Sequence, residues 1–364
     1  MRDDIQSKFH YYAIDRAVGD DPAEAASRGQ FSAMPDQAKP DLFGTLDILY
    51  AAEILGQLDE LTDEAGKAAW TDLILSFQGD DGWFRSTDEQ SHSVEHVTAY
   101  ALGGLLILSD GDGSHLAKRL KPFRGLQAQL AASPGRGAAP FSLSLLDRVH
   151  FWRGSHRAGG LASIVGSAAD LGLPAQEFLG IGEPREWLEG WWSYFAGRID
   201  GSTGYWALAP AWTRAAFDAL YQIRHRPKLA AMGGAVHLYW ISEKIAAPMP
   251  HPEALIPATT ELMESTGLYE KHPYCIDLDA NFLIGRALSY IKPGNGLEER
   301  ARAALATNRE AVLSWFASRP HQEWRKNSHA LPGALAAVAE ADRILADDGS
   351  EQPWRDIFKT TWWL

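Results

Sequence analysis

The spacing of apolar residues constrains this chain more than any other feature. LDILYAAEILGQLDEL (46–61), EHVTAYALGGLLIL (95–108), AGGLASIVGSAADLG (158–172), AVHLYWISEKIA (235–246), DANFLIGRALSYI (279–291) and ALPGALAAVAEADRIL (330–345) each repeat apolar side chains at helical intervals. Prolines and glycines fall mainly between these segments, and no matching series of alternating β-branched runs appears. The pattern predicts an all-α fold of ten or more helices. An irregular acidic stretch at about 18–40 precedes the first core segment, so residues 1–40 are expected to form an N-terminal helix and lead-in, and 41–364 one domain.

At 364 residues the chain is long enough to bury a substantial core. A formal net charge of -13 argues against a nucleic-acid or anionic-membrane partner. Cys275 is the single cysteine, which excludes an internal disulfide and any cysteine-based zinc cluster and suits a reducing compartment. The N-terminal stretch mixes charges, and no segment approaches the run of about 18 apolar residues that spans a bilayer. A cytoplasmic protein without a membrane span is the expectation. The 14 tryptophans, concentrated in stretches such as EWLEGWWSYF and TTWWL, suit a large core or a pocket with stacking surfaces.

Three turns repeat a theme: QGDDGWF (78–84), DGSTGYW (200–206) and MESTGLY (263–269) each set polar residues and a glycine before aromatic or apolar ones. Gly82, Gly204 and Gly267 are 122 and 63 residues apart (204 minus 82, 267 minus 204), so the first interval is nearly twice the second, as in a helical-hairpin repeat with one degenerate copy. Glycine in such a turn is expected in the left-handed conformation that ends a helix, with the aromatic folding back onto the hairpin. Over roughly residues 40–345 the chain resembles the α/α-toroid proteins, closed rings of helical hairpins. These include terpenoid cyclases, protein prenyltransferase β subunits, and the six-hairpin glycosidases and polysaccharide lyases. Gln78, Asp81, Gly82 and Phe84 look like the Gln-x-x-Asp-Gly-x-Trp turn of the cyclases, with Phe84 in the Trp position; residues 203–206 and 266–269 look more like glycosidase turns. The resemblance implies an (α/α) toroid or barrel of helical hairpins, whose inner helices point one set of ends at a central pocket.

Polar residues just before apolar helices are therefore the candidates for chemistry. Aligning residues 102–103 with 284–285 sets Glu95 opposite Asp277 and Val97 opposite Asp279. Two hairpins would then deliver carboxylates to one substrate, the arrangement acid/base chemistry needs. The alternative is that these acids cap helix N-termini. His92 and His96, at i and i+4, suit substrate binding, proton transfer beside Glu95, or a partly buried helix position; no third metal ligand is specified and no metal is assigned. In HFWRGSHR (150–157), Arg153 and His156 are the expected pocket contacts, and WRKNSH (324–329) offers His329 in a similar setting. Asp47, among apolar neighbours beyond Asp41, needs a partner. Tyr205, Trp206, Tyr239 and Trp240 are stacking surfaces or core.

Against the cyclase acid motif, Asp-x-Asp-Asp, the chain reads Asp277-Leu278-Asp279-Ala280 and lacks the third aspartate. Against the prenyltransferase zinc set, Cys275-Ile276-Asp277 with His329 has the order reversed. Nucleophile-elbow, phosphate-loop and dinucleotide fingerprints are absent. The expectation is a carbohydrate-active enzyme, without cofactor, cleaving an oligosaccharide or uronate-containing glycan. In a hydrolase Glu95 and Asp277 or Asp279 would divide the acid and base roles; in a lyase an Arg would neutralise the uronate while a His or Tyr moves the proton. An isoprenoid cyclase or prenyl-binding toroid, with Asp279 as acid, and a non-catalytic scaffold are the alternatives.

Overall fold

The computed structural model describes residues 2–35, 37–86, 92–110, 113–131, 149, 151–206, 212–213, 215–216, 219, 227–294, 296–324, 327–346 and 354–364. Helices and turns make up these residues, with three isolated bridges and no strand among them. Twelve described helices have eight residues or more: α1 (Arg2–Arg16), α2 (Leu42–Leu55), α3 (Glu64–Ser76), α4 (Val94–Leu108), α5 (Arg124–Ala131), α6 (Phe151–Asp170), α7 (Pro184–Ala196), α8 (Pro227–Lys244), α9 (Pro252–Thr260), α10 (Cys275–Leu288), α11 (Leu297–Ala317) and α12 (Leu331–Leu345). None is long and apolar enough to cross a membrane.

Burial divides them by parity. Even-numbered helices are buried on nearly every side, as sequences apolar around most of the helix require, whereas α1, α3, α7, α9 and α11 bury one face. The even helices contact each other in the order α2, α4, α6, α8, α10, α12, and α12 returns to α2. Odd helices lie against them: α3 on α2 and α4, α7 on α6 and α8, α9 on α10, and α11 on α10 and α12. Neighbouring even helices run the same way. Near its start α10 meets α12 at Cys275 and Gly333, and near its end at Gly285 and Ile344. Their N-termini therefore share one end, where the polar residues preceding each apolar run collect.

The C-terminal segment lies among the even helices. Trp363 is fully buried, and Trp362 sits against α6 at Gly166, where a Cβ would fall 2.3 Å from the indole. Ser163 Oγ donates to the Trp362 carbonyl at 2.9 Å, and the Tyr50 hydroxyl lies 3.1 Å from the Trp363 carbonyl. The lead-in is less irregular than expected: Asp21 caps a short helix, Pro22–Ser27, and buried Phe31 and Ala33 dock the segment on the core.

The repeated turns share one conformation. Gly82, Gly204 and Gly267 have φ of +88°, +73° and +82°. They lie six, eight and seven residues beyond the ends of α3, α7 and α9, so they turn the chain between an outer and an inner helix rather than capping the helix itself. In the first turn Gln78 Nε2 donates to the carbonyls of Gly82 and Lys121, both at 2.9 Å, and the Phe84 amide donates to Thr98 Oγ1 on α4. A Cβ on Gly82 would sit 2.3 Å from the Pro122 carbonyl oxygen. Gly82→Ala combines a disfavoured left-handed conformation with a backbone clash, and a loss of about 2 kcal/mol or more is expected in urea unfolding. A loss under about 0.5 kcal/mol would show that the turn relaxes freely.

Candidate active site

Five histidines from four segments meet, four of them before or within the first two turns of even helices and His237 at the eleventh residue of α8. Ser93 caps α4 by accepting from the His96 amide, which places His92 just before the helix and His96 in its first turn. The two imidazoles stack at 4.5 Å and 19°. From α6, His156 stacks on His96 at 4.8 Å and meets His237 of α8 edge-on at 4.8 Å. His329, on the short turn before α12, meets His92 edge-on at 4.9 Å, and Phe43 of α2 packs against both. Trp363 stacks on His237 at 4.8 Å and 20°.

Hydrogen bonds assign protons to three of the rings. Asp47 Oδ1 accepts from the Tyr100 hydroxyl at 3.0 Å and lies 2.9 Å from His329 Nδ1, while Oδ2 accepts from Ser328 Oγ at 2.6 Å. A carboxylate oxygen accepts, so His329 donates from Nδ1, and in the neutral ring Nε2 carries the lone pair. Ser155 gives its only proton to the Trp152 carbonyl at 2.7 Å, so it accepts from His237 Nδ1 at 2.8 Å and leaves His237 Nε2 bare. For His96 the pattern inverts. Trp363 Nε1, which can only donate, lies 2.8 Å from His96 Nδ1. His96 Nε2 is buried with no partner among the described residues.

Burial, with the neighbouring imidazoles adding to it, pushes the His92 pKa down to about 3 and that of His96 well below the usual range; burial and His156 do the same for His237. These rings are uncharged at neutral pH. His92, His96 and His329 also offer one nitrogen each within 4.8 Å of one another, supplying the third candidate metal ligand that sequence spacing left open.

The carboxyls expected to converge serve different elements. Asp277 accepts from the Tyr269 and Tyr274 amides at 3.2 and 3.1 Å and from Asn308 Nδ2 at 2.8 Å, closing a capping box at the start of α10. Burial outweighs those bonds and moves its pKa up to about 6. Glu95 is buried toward α6, 3.6 Å from Arg157 Nε. Asp279 is buried with neither carboxyl oxygen partnered among the described residues, beside Gly233 of α8 and Trp152 of α6. Burial, reinforced by Asp277, raises its pKa well above the carboxylate range. Trp152 and Gly233 lie one helical turn before His156 and His237, which sets Asp279 one turn from the imidazoles.

Other candidates separate. His92, His96, His156 and His329 come together, whereas Arg153 is solvent-exposed on α6. Tyr205 and Trp206 are buried, with the Tyr205 hydroxyl 2.8 Å from Thr259 Oγ1 and Trp206 Nε1 donating to the Phe195 carbonyl at 2.8 Å; both side chains are engaged in core packing. Tyr239 likewise donates to the Gly204 carbonyl at 2.8 Å. Trp240 packs edge-on against His237 at 4.9 Å and against Trp363. His150, Arg325 and Lys326 lie outside the described residues. Sequence reasoning missed His237, Tyr100 and Trp363. A lone histidine inside AVHLYW was the available signal for the first, and the buried acid Asp47 for the second. No family model, curated protein or solved structure matches the chain.

Proposed function

We propose that this chain is an α/α-toroid enzyme that moves a proton on a polar, sugar-type substrate, and that elimination from a uronate-containing glycan is the reaction. The cyclic order of the even helices supports the toroid reading. One observation carries the chemistry: Asp47 accepts the Nδ1 proton of His329, leaving a bare Nε2 among the imidazoles. A histidine oriented by a carboxylate is a competent base for a carbon-bound proton. Hydrolysis would need two carboxyls facing one bond about 5 to 10 Å apart, and Asp277 and Glu95 are engaged elsewhere. In the elimination, His329 takes the proton beside the carboxylate, the electron pair forms the new double bond, and the glycosidic oxygen leaves with a proton. Asp279, kept protonated by burial, is a group able to supply that proton.

Incubation with uronate oligosaccharides, followed by ultraviolet absorbance and mass spectrometry, is expected to give unsaturated products. His329→Ala should lower kcat by about 10²- to 10⁴-fold, the usual worth of a positioned base. New reducing ends without unsaturation would replace elimination with hydrolysis, and binding without turnover would favour a scaffold. Asp279 beside Trp152 is the observation that keeps an isoprenoid cyclase as the second reading, so prenyl diphosphates belong in the same panel.

A further inference from the structure

The histidine cluster has two possible uses, a metal centre or a hydrogen-bonding site for an oxygen anion, and the indole of Trp363 discriminates between them. A neutral imidazole has one lone pair and one N–H. Because Trp363 Nε1 donates to His96 Nδ1 at 2.8 Å, the lone pair is on Nδ1 and the proton on Nε2. While that bond stands, neither nitrogen of His96 is open to a cation. The rings of His92 and His96 also stack face to face at 4.5 Å and 19°.

What remains is a buried donor without an acceptor. His96 Nε2 has no partner among the described residues, and one nitrogen of His96 lies within 4.8 Å of a nitrogen of His92 and one of His329. Both His329 and His237 keep bare Nε2 atoms, so His96 alone among the three rings with assigned protons presents an N–H at that position. We propose that Trp363 holds His96 in the tautomer with a bare Nδ1, and that its Nε2–H donates to an oxygen of the substrate that carries or gains negative charge. His96 is then a candidate catalytic residue and Trp363 the positioning residue behind it. On the elimination reading, on which the choice of probe rests, that oxygen belongs to the uronate carboxylate, whose charge grows as His329 removes the neighbouring proton. Trp363 is itself fixed by its carbonyl near Tyr50 and by stacking on His237, so the tautomer is set by the core.

Two-bond ¹H–¹⁵N spectra of the ¹⁵N-histidine-labelled protein, with His96 assigned through His96→Gln, test this without turnover. The expected result is a bare Nδ1 and a protonated Nε2 for His96, signals unmoved by added Zn²⁺, and a shift of the Nε2 proton on adding glucuronate. Trp363→Phe should move the Nδ1 signal toward the tautomer-averaged position and weaken glucuronate binding about tenfold, the worth of one hydrogen bond to a charged group. His96→Gln, which keeps an N–H donor, should bind within a few-fold of wild type, whereas His96→Leu should not. A protonated Nδ1 would overturn the proposal, as would Zn²⁺ shifting His92, His96 and His329 together, which would make the cluster a metal centre. If Trp363→Phe does not fold, the wild-type tautomer and the Zn²⁺ titration decide. Loss of elimination activity with this tautomer intact would sink the elimination reading alone.

Discussion

Asp279→Asn is expected to stabilise the protein at neutral pH by about 1 to 3 kcal/mol, the scale of relieving a buried unsatisfied ionisable group. Both Asp279 oxygens are buried without partners among the described residues, and burial with the nearby Asp277 raises its pKa well above the ordinary value. In the unfolded chain the same carboxyl ionises near 3.9. An acid whose folded pKa is raised contributes most below the unfolded value and loses its contribution as pH rises toward the folded one. The gap between wild type and Asp279→Asn should therefore be small near pH 4 and widen by up to about 1.4 kcal/mol per pH unit above it, until the folded carboxyl itself ionises. The asparagine amide inherits the missing partners, so the gain is the avoided cost of keeping a proton on and not a cure for desolvation. Urea unfolding at several pH values measures this, and a gap that does not grow with pH would mean the carboxyl is already ionised against a partner. On the proposed elimination, turnover should fall in the same variant, since an acid retained at a loss of stability is the pattern of a functional group.

The helices were legible because their apolar residues recur around the whole helical circumference, and such helices have nowhere to go but inside. The repeated Gly82, Gly204 and Gly267 turns were legible for a local reason: a positive φ leaves a glycine in the sequence wherever it occurs. Their detailed role was not, because whether a glycine caps a helix or turns the chain several residues later depends on where the helix stops. The site was half legible. His92, His96, His156 and His329 stand before or within the first turns of apolar helices, and segments of that kind converge once the helix N-termini share an end. Arg153 belongs to the same short motif as His156 and, three positions away, lies on much the same face of α6, yet it is solvent-exposed one turn nearer the start of the helix. The Asp47–His329 pair spans 282 residues, and no local pattern records so distant a bond. The aligned carboxylates show a different limit: a register match between helices says that two residues occupy the same turn, not that their oxygens are free.

Asp277 makes that last point testable. Asp277→Ala is expected to destabilise the protein by about 3 to 5 kcal/mol, the range for breaking a buried hydrogen-bond network by removing one partner. Its carboxyl holds two backbone amides of the turn into α10 and the amide of Asn308 on α11. Asn308 in turn donates to the Gly267 carbonyl at 2.9 Å and accepts from Asn281 Nδ2 at 2.8 Å, while Asn281 also donates to the Ala337 carbonyl of α12 at 2.9 Å. Alanine removes an acceptor from three donors and loosens the tie among α10, α11, α12 and the Gly267 turn. The imidazoles make none of these bonds, so the folded fraction of Asp277→Ala should keep the wild-type histidine spectrum, which denaturant titration and NMR on one sample can establish together. Asp277→Asn, which retains one acceptor oxygen, should lose less. Raising the pH from about 4 through 6 should also reduce the difference between wild type and Asp277→Ala, because the folded Asp277 pKa of about 6 lies above the unfolded value. Two aspartates separated by one leucine are thus expected to act in opposite directions on stability. A stable Asp277→Ala protein with altered histidine signals would return Asp277 to the pocket and restore the paired-carboxylate chemistry of a hydrolase.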